Sequence, residues 1–464
     1  MYSKKQRIIL YTLTLIIGIS ISIISAYLHH PDTPVLMGNP GFKYNDIVYG
    51  VFYVRFRPGL VRDKVELEKY WFKPEKFIDL VNGKKQHPIP YIDYKFEYPP
   101  IVGLIWFIST SLAIHFALPE EYSYRVYFKR YDQIVAYHFI IESIINSIAF
   151  IITLLLMIKF SFDLGIKPWK PFIYAILPST IMYLMYNWDT LCIMFVLIGL
   201  YMLYRERYGL SGFMFSLAVS TKILPVILAV TLMIYLFKET RITHRTSPFL
   251  RYSLSFIVSL SLTFLVLYIG SPAGFMYFLE HHSKWYCENC IYQLFDRNIF
   301  SEIHKIGFAL SVSVSWVIIL YVVLRYGLSN FHELLEFSLL LIIISTVFNY
   351  VFSPQMFLLI SPLALLILSG RRLSLFVWSD LFNALIMVFF FKDRVIRRFV
   401  SDMGFPIKVE FNPWTLDSPV QWFAMIRNIS LVLILVSTLW IIYKRKHGSG
   451  KYVNVLFKKL RFKG

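Results

Sequence analysis

Residues 45–100 read NDIVYGVFYVRFRPGLVRDKVELEKYWFKPEKFIDLVNGKKQHPIPYIDYKFEYPP. This is the longest polar interruption between apolar segments, and it follows directly on the first of them. Its two ends, Asn45-Asp46 and Glu97-Tyr98-Pro99-Pro100, carry acids placed to do chemistry near a membrane surface. The chain leaves Pro99-Pro100 either across the bilayer or back to the side it came from. That choice sets the sidedness of every later segment.

Composition puts the stretch in context. The chain has 464 residues, 57% of them hydrophobic and 16% charged, with a mean hydropathy of +0.58. Soluble domains average about 45–50% apolar and about 25% charged. Runs of about 18 or more apolar residues recur along most of the length, the signal of transmembrane helices. A large soluble helical protein is excluded, and little room is left for a separate soluble domain. The expected fold is all-α, a polytopic membrane protein of about 12 transmembrane helices. The expected organisation is a first transmembrane helix in residues 1–28 and a large first external loop in 29–133, with a membrane-parallel helix at 101–118. A helix bundle follows in 134–443, and a basic cytoplasmic tail in 444–464.

Helix candidates lie at 8–28, 134–158, 172–186, 191–204, 249–269, 306–324, 334–350, 356–368, 374–391 and 422–443. Lys4, Lys5 and Arg7 precede the first, and no small-residue cleavage site follows it, so it reads as a retained helix. Lys222 and Pro225 interrupt 212–237, which is either one kinked helix or a hairpin of two short ones. Residues 62–80 read as a charged amphipathic helix.

The net charge of +19 reads as topology and argues against a nucleic-acid partner, because Lys and Arg gather in short loops and at the C-terminus. If 101–118 spans and 212–237 is single, Arg125, Lys129 and Arg130 lie inside. If 101–118 returns to the outer side and the chain reverses near Lys222, then Lys159, Lys167, Lys170, Arg205 and Arg207 lie inside instead. The positive-inside rule favours the second arrangement. It also puts Asp46, Glu97, Asn187, Asp189, Lys222 and Gln355 on one outer face. The tail suits an anionic inner leaflet.

These residues carry a resemblance. Asn45-Asp46-Ile47-Val48-Tyr49, Pro90-Tyr91 and Glu97-Tyr98-Pro99-Pro100 resemble the first external loop of glycosyltransferase family 87. Asn187-Trp188-Asp189-Thr190-Leu191, residues 218–225 around Lys222, and Val351-Phe352-Ser353-Pro354-Gln355-Met356 resemble its later blocks, in the family's order. Similar late blocks occur in GPI-anchor mannosyltransferases. The resemblance implies a GT-C fold that takes a sugar, a hexose such as mannose, from a polyprenyl-phosphate carrier on the outer or lumenal face. It implies a catalytic carboxylate in the first external loop and a following helix that lies along the membrane. The insertion between Tyr49 and Pro90 departs from the pattern.

The chemistry can also be argued from residue types. Transfer from a phosphate carrier needs a base for the acceptor hydroxyl, and positive charge or a metal for the leaving phosphate. Asp46 is the candidate base, with helix capping as its structural alternative. Lys222, at a helix break, is the candidate phosphate partner, with snorkelling as the alternative. Glu97, Tyr98, Asn187, Asp189 and Gln355 are candidate substrate-binding residues, and Arg297 a further phosphate ligand. Asp189 and Glu97 are also candidates to bind a divalent cation (Mg2+ or Mn2+); Asp189 reads equally as a cap and Glu97 as a solvated loop acid.

The expected partners are a polyprenyl-phosphate sugar donor, membrane lipids, and a lipid, glycan or protein acceptor. The expected location is a prokaryotic plasma membrane, with the site on the extracytoplasmic side. Transfer by single displacement with inversion is the expected reaction. A transporter or flippase for a lipid-linked glycan or small solute is the alternative, because it too uses intramembrane charges and broken helices. Three cysteines, Cys192, Cys287 and Cys290, are too few for a disulfide framework. For Cys287 and Cys290, a disulfide or free thiols fit better than zinc.

Overall fold

The computed structural model describes residues 3–448 except 85 and 329. The expected basic tail falls, beyond residue 448, outside the described residues. The fold is all-α; β contacts among the described residues are isolated bridges. Seven described helices are long and apolar enough to cross a membrane, and shorter apolar helices lie among them.

Helix α1 (Lys4–His29) opens on a capping box in which Ser3 and Gln6 satisfy each other's backbone donors. The first loop then holds a π-helical turn (Asp46–Phe52) running into α2 (Tyr53–Phe56), followed by α3 (Lys64–Tyr70) and α4 (Pro74–Val81). The single helix expected at 62–80 is therefore two. Trp71 is buried at the break, and Pro74, which lacks a donor, starts the second helix. Phe56, Trp71, Phe77 and Tyr94 form an aromatic core that makes the loop a folded unit.

Helix α5 (Pro100–Ala117) starts at the two prolines, with Pro100 in its first turn. It runs antiparallel to the early part of α6 (Tyr124–Leu164). Ile101 and Ile105 pack on the cluster of Ala149, Leu191 and Met194. Trp106 meets His138 at 4.3 Å, and Arg130 donates to the Ala117 carbonyl. Both ends of α5 touch the first loop: Tyr91 donates to the Pro99 carbonyl, and Tyr122 to that of Leu80. The helix expected at 134–158 starts ten residues earlier, at Tyr124, because the first loop covers its opening turns: Tyr127 is buried and donates to the Phe56 carbonyl.

Beyond α6 come α7 (Lys170–Ile176), α8 (Pro178–Tyr183), α9 (Asp189–Tyr204), α10 (Tyr208–Thr221) and α11 (Val226–Thr243). The run 172–186 breaks at Pro178. The run 212–237 breaks at 222–225: α10 lies antiparallel to α9, with Ser211 bonded to Gly199 and Cys192 to Ala218, and then the chain reverses. Helices α12 (Ser247–Gly270), α13 (Pro272–Lys284), α14 (Ile303–Tyr326), α15 (Phe331–Val347), α16 (Phe357–Ile367), α17 (Gly370–Phe390), α18 (Asp393–Asp402) and α19 (Pro419–Gly448) complete the fold. Close approach sets one crossing: a Cβ on Gly212 would stand 2.2 Å from the Tyr252 carbonyl of α12.

The bundle has two chemically different ends. At one, the Arg7 guanidinium stacks on Phe162, Lys159 pairs with Asp163, and Lys170 caps the carbonyls of Leu366 and Leu368. There too Lys238 caps Leu324, Arg445 pairs with Glu336, and Lys446 with Glu333. The other end gathers His29, the first loop, residues 186–189, Lys222 and residues 350–355.

Candidate active site

Asp46 is placed by its neighbours in sequence. Asn45 caps the π-helical turn, its Oδ1 accepting from Val48 N at 2.7 Å, while its Nδ2 donates to the carbonyls of His29 and Lys43. Capping therefore falls to Asn45, and the Asp46 carboxylate is free to face a cavity. The Asp46 backbone N–H donates to the Tyr186 carbonyl at 3.0 Å, fixing the turn on the α8–α9 connection. Asn187 Nδ2 and Gln355 Nε2 both donate to Asp46 Oδ2, at 2.9 and 3.3 Å. Residues 46, 187 and 355, far apart in the chain, meet at one oxygen.

The cavity is about 640 Å³, room for a sugar and a phosphate. Asp46, Glu97, Tyr98, Asn187, Lys222 and Gln355 all line it. Asp189, buried just behind, pairs through Oδ1 with the Lys222 ammonium. It makes no capping hydrogen bond to α9, whose N-cap position falls on Trp188. Glu97 pairs with the buried Arg55, which also donates to the carbonyls of Lys95 and Val51. Asp189 and Glu97, the acids offered for a divalent cation, are thus each held by a cationic side chain, an arrangement that does not suit a cation on those two. Asp189 Oδ2 and Gln355 Oε1 are buried without a hydrogen-bond partner, an unusual cost in a folded protein.

Aromatic rings flank the acid: Tyr44 lies 5.6 Å from Tyr186 and 5.5 Å from Phe391, and Tyr98 lies 4.7 Å from Trp188. The Asp46 carboxyl is pushed up to about 7, first by burial and then by the charge of Glu288, while the Asn187 hydrogen bond acts the other way.

No family model matches the chain, and no curated protein matches it. Among solved structures, it is similar to ArnT from Cupriavidus metallidurans bound to undecaprenyl phosphate, with a TM-score of 0.39 and 11% identity. That alignment covers 94% of this chain and 77% of the other. So distant a likeness leaves the reading to the cavity itself.

Two site features depart from the sequence reading. Arg297 does not join the cavity; it is exposed and pairs with the exposed Asp417 at 3.0 Å, because its loop runs away over the surface. Glu288, which the sequence reading passed over, does join it. Its backbone N–H donates to the Tyr350 carbonyl, and its carbonyl accepts from Phe352, so its loop lies against the Ser353-Pro354-Gln355 turn. Trp285 Nε1 donates to Glu288 Oε2 at 3.1 Å. Burial raises the Glu288 carboxyl above its ordinary range.

The flanking Cys287 and Cys290 form a disulfide. Among the described residues, the group of three close metal-type ligands is these two sulfurs with His304. A disulfide offers no thiolate to zinc. The signal that could have found Glu288 was an acid bracketed by two cysteines. Its importance depends on a long-range bridge that no local pattern encodes.

Proposed function

We propose that this cavity transfers a hexose, in the manner of a mannosyltransferase of the GT-C type, from a polyprenyl-phosphate carrier to a lipid, glycan or protein hydroxyl. The observation that carries the reading is the environment of Asp46. It is an acid without a cationic partner, oriented by two amides and facing the same cavity as Lys222. The acceptor oxygen attacks the anomeric carbon as the carbon–oxygen bond to phosphate breaks. Asp46 takes the hydroxyl proton, and the polyprenyl phosphate leaves with the bonding electron pair.

Lys222 lines the same cavity and supplies positive charge for that leaving group, with its remaining ammonium donors available while one holds Asp189. Glu97, Tyr98 and Gln355 in the cavity lining supply polar groups for sugar hydroxyls, and the aromatic walls supply stacking faces. A single displacement inverts the anomeric carbon. The chain reversals at α5 and at Lys222 support an outer location for the cavity, since it opens at the end opposite Arg7, Lys159, Lys170 and Arg445.

The test is transfer of radiolabelled sugar from polyprenyl-phosphate mannose in vesicles, comparing wild type with Lys222→Ala and Lys222→Arg. Loss with alanine and partial retention with arginine are expected. Equal activity in all three would refute the phosphate role of Lys222.

A further inference from the structure

Helix α18 is too polar to cross a bilayer, yet it presents a large apolar face outward. Val395, Phe399 and Met403 recur every four residues along one side and are 62%, 64% and 62% exposed. The chain after the helix extends the same kind of surface with Phe405 and Phe411. Exposed Arg394 and Arg398 run alongside the stripe, one residue ahead of Val395 and Phe399, and Asp402 closes the last turn.

The opposite face is fastened. Arg397 is buried, donating from Nε to Asp393 and from its two terminal nitrogens to the carbonyls of Lys408 and Asn412. Asp393 also accepts from Asn412 N and Ser418 Oγ. The exposed stripe is therefore a braced surface.

Position and charge identify what covers it. Helices α17 and α19, which bracket α18, are candidate spans with their own outward apolar side chains, among them Trp378, Leu381, Ile426 and Leu433. The α18 stripe adjoins that lipid-facing surface at its cavity end. Its two arginines match the phosphates that line a bilayer surface. Phe411 packs edge-to-face with Phe390 and Trp414, both of which line the cavity, so the stripe reaches the cavity wall.

We propose that α18 and residues 403–411 lie in the membrane surface on the cavity side, with the apolar stripe at the acyl boundary and Arg394 and Arg398 on anionic lipid phosphates. The segment forms a lipid-seated rim for the cavity. This holds whether or not the cavity transfers sugar.

The test uses the full chain in nanodiscs, in a Cys192→Ala background, with nitroxide labels at Val395→Cys, Phe399→Cys or Lys408→Cys. The oxygen-to-nickel-chelate accessibility ratio should be several-fold higher at 395 and 399 than at 408. Replacing half the phosphatidylcholine with phosphatidylglycerol should raise it further, and Arg394→Gln/Arg398→Gln should cancel that rise while leaving the apolar stripe intact. Equally low ratios at all three positions, at the level of a label in bulk water, would place the stripe in water. Exclusion of both reagents at 395 and 399 would mean that protein, a partner or a second copy, covers it. Either result overturns the proposal, and so does a phosphatidylglycerol effect that survives the arginine changes.

Discussion

Asp46 owes its position to the Tyr186 carbonyl and the amides of Asn187 and Gln355, while burial and Glu288 disfavour its charge. Burial and Glu288 together bring its carboxyl to about 7. A base must be unprotonated to work, so kcat/KM should fall as pH drops through about 7. Glu288→Gln removes the repelling charge and should move that acidic limb to lower pH. Asn187→Ala removes a hydrogen bond that favours the charged form and should move it to higher pH. A pH–rate profile of the two variants checks both signs at once; shifts in the same direction would refute the electrostatics drawn here. Most of this constellation was legible in sequence, because each member sits in a short block with an odd polar residue at an apolar boundary. Glu288 was not, since its approach to Asp46 depends on the loop docking against residues 350–352. Arg297 was misplaced for the converse reason: nearness in sequence to that loop does not bring it into the cavity.

At the scale of elements, buried ion pairs and close backbone approaches hold these residues in place. Arg55 is buried, and its partner Glu97 stands at the cavity edge. Removing one member of a buried pair costs about 3–5 kcal/mol, so Arg55→Ala should lower the unfolding midpoint of the detergent-solubilised protein markedly. At the α10–α12 crossing, Gly212→Ala forces backbone apart and should cost about 1–3 kcal/mol. Gly59→Ala, where nothing lies within 4 Å of the added carbon, serves as the neutral control in the same thermal assay. Helix existence was legible from apolar runs, and the breaks at Pro99-Pro100 and Lys222–Pro225 from proline. The extended start of α6 and the split of 62–80 into α3 and α4 were not. Both follow from the folded first loop, whose aromatic core buries turns that local periodicity leaves ambiguous.

At the scale of the molecule, the cavity and the cations Arg7, Lys159, Lys170 and Arg445 lie at opposite ends. If α5 returns the chain to its starting side, Ser123→Cys and Glu206→Cys should label from opposite faces of sealed vesicles, the first from outside. Labelling of Ser123→Cys only from inside, with Glu206→Cys reached from outside, would overturn the topology. The segregation was legible only as a preference between two arrangements, because the positive-inside rule weighs loops and does not see contacts.

The most direct measurement is sugar transfer by the purified protein in liposomes supplied with radiolabelled polyprenyl-phosphate hexoses, wild type against Asp46→Asn. The account predicts transfer by wild type and a loss of about 10²–10⁴-fold in the variant, with its fold unchanged by thermal melt. Undiminished transfer by Asp46→Asn, or none by wild type with any donor, would contradict it.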